Sequence, residues 1–226
     1  MLSLKKKSSV IAVGMALTLG LAACGSNDTE TTGSGSDTPS AAASPVAVLD
    51  NLTGTSTSVT LDAGFLEGLT ALKLTPATIG GAKLEGAVIS FPITGGNATY
   101  FDPASGVTPY VTSNIEHEGS GLQLTGANGK VVKLENFVVD AGTSMLTGKV
   151  TVDGMVAFES APLFFLDGST LKPLDTTSKP GMGVLEGTTV SLTKAAADAL
   201  NGVFETTALT EFFKVGVAEI DLKLPA

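Results

Sequence analysis

Few residues of this chain have both the type and the spacing for chemistry, and each points to a different kind. Cys24 is the one thiol in 226 residues, and the one histidine, His117, stands between two acids in "IEHEG" at 115–119. The pattern "SLTK" sets Ser191 three residues ahead of Lys194, the separation that puts a lysine one helical turn from a serine nucleophile in penicillin-recognising enzymes. Tyr100 and Tyr110 are the sole tyrosines. A serine or cysteine hydrolase needs a base beside its nucleophile, and no "GxSxG" turn exists here for a serine to stand on. The companion motifs "SDN" and "KTG" are absent as well, and Ser191 falls in an alternating pattern, so it reads as a strand serine. In "IEHEG" a strand would turn Glu116 and Glu118 to one face and the imidazole of His117 to the other, which spoils a single metal site. Calcium-loop, dinucleotide and phosphate-loop signatures are missing. The residues therefore predict neither an enzyme nor a metal centre.

The surroundings of Cys24 assign it another role. "MLSLKKKSS" is cationic, and "VIAVGMALTLGLAA" is an apolar run of fourteen residues ending in small side chains, the layout of a secretory signal peptide and too short for a membrane span. Leu21-Ala22-Ala23-Cys24 matches the bacterial lipobox, in which the cysteine thiol is acylated and the chain is cut just before it. Residues 1–23 read as a lipoprotein signal peptide, and Cys24 as the lipid attachment site. Two or three acyl chains, at about 0.8 kcal/mol per buried methylene, hold a protein on a bilayer where one chain holds it marginally. The expected location is the plasma membrane, lipid-anchored, facing the outside of the cell.

Loss of residues 1–23 leaves ten lysines against 22 acidic residues, a net charge of −12, and arginine is absent throughout. Nucleic acid is excluded as a partner, because phosphate contacts need clustered cations. An electrostatic hold on anionic lipid is excluded too, which leaves the acyl chains on Cys24 as the membrane attachment. With Cys24 lipidated no thiol remains for disulfides, and an apolar core must carry the fold. Residues 24–56, rich in Gly, Ser, Thr, Asp and Pro, read as the lipidated cysteine and a flexible linker with a root-mean-square reach of roughly 30 to 35 Å. The alternative is that "SPVAVLDNL" within it forms a first strand. Residues 57–226 read as a single domain.

The elements that must position these residues are mainly strands. "SVTLD", "AVISFPI", "LQLTG", "GKVTVDG", "TTVSLT" and "VAEIDLKL" alternate or run apolar between turn residues. Asn128-Gly129, Asp153-Gly154 and Gly95-Gly96-Asn97 supply hairpin turns. The fold expected is mainly β, an antiparallel β-sandwich with two short helices. Asp62 caps a helix carrying Phe65, Leu66, Leu69 and Leu72, and Thr193 caps one carrying Ala196, Ala197, Leu200 and Val203. "VTLDAGFLEGL" at 59–69 aligns without gaps on "VSLTKAAADAL" at 190–200, and "IGGAKLEG" at 79–86 looks like "VGVAEIDL" at 215–222. A strand-helix-strand pseudo-repeat near the two ends of the domain follows.

Segments such as "EGAVISFPITGGNATYFDPASG", "GVTPYVTSNIEHEGSGLQLTG", "KVVKLENFVVDAGTSMLTGKVTVDG", "APLFFLDGSTLKPL" and "LEGTTVSLTKAAADALNGVF" cover nearly all of residues 57–224. They resemble secreted or lipid-anchored β-rich domains of actinobacteria without a named activity. More distantly, the order His-x-Gly, apolar strand, hairpin, strand and a late Leu-Thr-x-x-Ala is similar to the haem-transport-associated domain of HtaA-type proteins. That resemblance implies haem bound at the cell surface through a tyrosine assisted by a histidine. His117 stands where the family's histidine stands, and Tyr100 and Tyr110 are the available tyrosines. The family's opening Trp-Gly element is absent, and phenylalanine and leucine occupy 60–70, where its tyrosine is expected. Two functions remain open: a non-catalytic envelope lipoprotein displaying an interaction or structural domain on a stalk, with an envelope protein as partner, and a haem-capturing or relaying surface protein.

Overall fold

Period-two patterning is realised as strand almost everywhere it occurs. In the computed structural model, which describes residues 43–224, the chain runs β1 (Ala47–Asp50), β2 (Ser56–Leu61), α1 (Ala63–Ala71), β3 (Thr75–Gly80), β4 (Lys83–Glu85), β5 (Val88–Pro92) and β6 (Gly95–Tyr100). It continues through β7 (Val111–Thr125), β8 (Val131–Asp140), β9 (Met145–Val152), β10 (Met155–Asp167), β11 (Met182–Leu192), α2 (Lys194–Phe204) and β12 (Lys214–Lys223). The signal peptide, Cys24 and most of the expected linker lie outside the described residues.

The strands form one antiparallel sheet in the order β1-β6-β7-β8-β9-β10-β11-β12-β2-β5-β4, with β3 added to the far half of β7. The sheet curls, so that strands distant along this path face each other. Thr57 on β2 and His117 on β7 are far apart in strand order, yet their side chains are hydrogen-bonded across the interior at 3.2 Å. The mainly β, sandwich-like class expected from patterning is the class found. One core cluster lines the curl, with Ile115, Val132, Leu134 and Phe137 among its least exposed members.

Asn128-Gly129 closes the β7–β8 hairpin, and Asp153-Gly154 closes β9–β10 with φ of 50° and 84°. The third expected turn is corrected by the structure. Gly95-Gly96-Asn97 lies inside β6, and β5 and β6 do not pair. A side chain at Gly96 would put Cβ 1.8 Å from the Asn114 carbonyl oxygen, at φ 106°. Glycine is needed there for close approach of β6 to β7 rather than for chain reversal. The domain boundary also moves. Val48 and Leu49 pair with Thr99 and Ala98 of β6, and Leu49 and Leu52 are buried, so the strand alternative for "SPVAVLDNL" holds and the domain begins about ten residues before 57. Polar composition pointed to a linker, but two leucines anchoring a short edge strand outweigh it.

Both helices start where capping predicts. Asp62 accepts from the Gly64 amide at 2.9 Å, and Thr193 accepts from the Ala196 amide at 3.1 Å. The two strand-helix units meet through β12, which pairs with both β11 and β2. They diverge after the helix, because β3 crosses to β7 whereas β12 returns beside its own β11. The Thr193 hydroxyl also donates to the Pro162 carbonyl at 2.7 Å, tying the start of α2 to β10. Thr193→Ala is expected to lower stability by about 1 to 2 kcal/mol, with Thr193→Ser retaining most of it; urea unfolding reads both.

Candidate functional site

Because alternate strand residues point inward, the curled sheet assembles an apolar wall from positions far apart in sequence. β7 contributes Val111, Ser113, Ile115 and His117; β8 contributes Phe137 and Val139; β2 contributes Thr57, Val59 and Leu61. Ile89 and Phe91 of β5 and Phe65 and Leu69 of α1 close the far side. Together with β10, β11 and β12 they enclose a cavity of about 450 Å³, within the usual size for a small-molecule site. Phe91 and Phe137 meet edge to face at 5.2 Å, and Phe137 meets Phe164 at 6.4 Å, so one wall is aromatic.

His117 is the largest buried polar side chain on the lining and is 1 % exposed. Its Nδ1 lies 3.0 Å from the Pro92 carbonyl oxygen, which can only accept, so Nδ1 carries the proton. Nε2 then accepts from the Thr57 hydroxyl. Burial pushes the imidazole below its ordinary pKa, against the smaller opposing effect of the Pro92 carbonyl. The ring is neutral, with both nitrogens engaged inside the protein. Ser113 is engaged too: its hydroxyl donates to the Val139 carbonyl and accepts from the Ala141 amide. Among the described residues the one buried side-chain polar atom without a partner is the Thr55 hydroxyl, which does not line the cavity. The buried polar side chains of the lining therefore ask nothing of a guest.

One end of the cavity is bounded by connecting segments. The β8–β9 turn (Ala141, Ser144), the chain before β7 (Thr108, Tyr110) and the end of β10 (Asp167, Ser169) meet there. Asp167 accepts from the Ser169 amide at 2.9 Å, and hydrogen bonding from Ser169 holds its carboxyl below the usual range. It is the one carboxylate on the lining, which contains no lysine. The nearby Lys172 is spent on Glu186.

The structure divides the residues singled out from sequence. Tyr110 and His117 both line the cavity; Tyr100 does not. Tyr100 is buried behind Tyr110, their rings edge to face at 6.1 Å, and its hydroxyl accepts from the Leu174 amide at 3.2 Å. Burial, and secondarily Tyr100, push the Tyr110 phenol above its ordinary pKa. Glu116 and Glu118 face outward, opposite His117, as strand alternation requires. Ser191 is buried in β11, and Lys194 sits on the surface paired with Asp198 at 2.5 Å, so the serine–lysine pair is not assembled. Sequence reasoning missed the aromatic wall of Phe91, Phe137 and Phe164 and the rim carboxylate Asp167. Their inward alternation was legible, but their convergence depends on how the sheet curls. Cys24 lies outside the described residues.

No family model and no curated protein matches the chain. Among solved structures it is similar to the C-terminal domain of HtaA from Corynebacterium glutamicum, at 14% identity and a TM-score of 0.54, covering 77% of this chain and 99% of that one. It is similar also to the N-terminal domain of HtaA from the same organism, at 13% identity and a TM-score of 0.51, again covering 77% of this chain and 99% of that one. At these identities the likeness is one of fold, and the distant HtaA-type resemblance expected from the order of motifs is present at that level.

Proposed function

We propose that this protein is a non-catalytic envelope lipoprotein, held on the outer face of the plasma membrane by acyl chains on Cys24, whose β-rich domain binds an apolar ligand in the cavity. The observation that carries ligand binding is a cavity of about 450 Å³ walled by aliphatic and aromatic side chains, whose buried polar members, Thr57, Ser113 and His117, are already hydrogen-bonded within the protein. A guest in this volume gains about 25 cal/mol for each Å² of apolar surface it removes from water, and by binding only the folded state it stabilises the fold in turn. A guest and the fold therefore support each other.

Haem is the second reading, favoured by Tyr110 and His117 both lining the cavity and by the HtaA-like fold. The residues fit it incompletely. Tyr110 is the one tyrosine on the lining, while His117 has both nitrogens engaged, the Tyr100 hydroxyl is bonded to the Leu174 amide, and no lysine lines the cavity to meet the propionates.

The test is titration of the purified protein with Nile red, an uncharged dye that fluoresces in apolar surroundings. One equivalent is expected to bind. Ala218→Phe, which fills the cavity from β12, is expected to weaken binding at least tenfold while leaving the circular dichroism unchanged. Ala98→Leu on β6 should weaken it less. Dye binding that ignores both substitutions would place the site elsewhere and end this reading.

A further inference from the structure

The cavity differs at its two levels, and the difference selects among apolar ligands. The buried polar side chains of the lining are consumed within the protein: Thr57 on His117, His117 on Pro92, and Ser113 on Val139 and Ala141. A guest with a polar group in its middle would strand that group without a partner, at a cost of about 1 to 3 kcal/mol. The rim carries the hydroxyls of Thr108, Ser144 and Ser169 and the carboxylate of Asp167, and the lining has no cation. An anionic head there would meet a like charge on a solvated carboxylate and no cation on the lining, a repulsion that is strongest at low salt.

Resting on the proposal that the cavity is the binding site, we infer that its ligand is an aliphatic lipid chain ending in an uncharged, hydroxyl-type head, with the chain among the aromatic and aliphatic residues and the head at the rim beside Asp167 and Ser144. Head charge is the selective feature. A fatty acid has the right chain and the wrong head, and a dianionic porphyrin is disfavoured for the same reason. The Asp167 carboxylate, which accepts from Ser169 alone, has lone pairs left to accept from a head hydroxyl as well.

Displacement of Nile red by hexadecanol, palmitate and haemin tests this with the intact protein at neutral pH. Hexadecanol is expected to displace the dye at least tenfold more tightly than palmitate, and Asp167→Asn, which keeps an amide oxygen for the Ser169 contact, is expected to narrow that gap by at least threefold. Palmitate equal to or better than hexadecanol overturns the assignment of head charge. Displacement by haemin alone, with a one-to-one Soret change lost in Tyr110→Phe, overturns the aliphatic ligand but keeps the cavity as the site. Dye bound at the cavity that none of the three displaces also overturns the inference. Failure of Nile red itself to bind is the distinct result that removes the proposed function beneath it.

Discussion

Gly96→Ala is expected to cost at least 3 kcal/mol of stability, about three times the cost of Gly129→Ala, although both glycines have positive φ. Gly129, at φ 78°, has open space where a Cβ would go, so its substitution pays only for backbone strain of about 1 to 2 kcal/mol. Gly96, at φ 106°, would bring Cβ to 1.8 Å from the Asn114 carbonyl oxygen and 2.8 Å from its carbon. The obstacle is backbone, and relief requires β6 to part from β7, breaking the register that pairs Gly96 with Ile115. Ile115 lines the cavity two residues before His117, so the same change should also weaken dye binding. Urea midpoints for the two variants decide the matter. Equal losses would mean that β6 and β7 do not approach so closely.

His117 is expected to make the domain less stable as the pH falls from 7 to 5. The folded state holds the ring neutral with its pKa lowered by burial, while the unfolded chain titrates near the ordinary value of 6.5. Between those two values the unfolded state binds the proton and the folded state does not, so stability is full above about 6.5 and declines as the pH drops toward the folded value. For one proton the slope cannot exceed about 1.4 kcal/mol per pH unit, the free energy of one pKa unit. As this is the only histidine, the decline that begins as the pH falls through 6.5 is assigned to it. His117→Gln should flatten this segment of the profile. His117→Ala should cost about 2 to 4 kcal/mol at pH 7, because the Thr57 hydroxyl and the Pro92 carbonyl lose their buried partner. Parallel pH profiles for the wild type and His117→Gln would contradict the buried neutral ring. Acidification is also expected to loosen ligand binding, since His117 joins β2 and β5 to β7 across the cavity.

What the sequence determined by itself was local in character. Alternation placed the strands and sent His117 to the face opposite Glu116 and Glu118; capping side chains at Asp62 and Thr193 started both helices; Asn128-Gly129 and Asp153-Gly154 closed two hairpins. Each of these depends on neighbours within a few residues, so the information is contiguous. The tertiary structure decided the rest. It reassigned Gly95-Gly96-Asn97 from turn to strand, because the constraint there is the backbone of β7 about twenty residues away. It drew Leu49 and Leu52 into the domain through a strand whose partner lies 50 residues on. It separated Tyr100 from the cavity and kept Tyr110 on it, and it set Thr57 against His117 across 60 residues of chain. An inward side chain can be read from a period of two, but which inward side chains share a cavity follows from the curl of the sheet, a property of strand order and twist that no single segment contains.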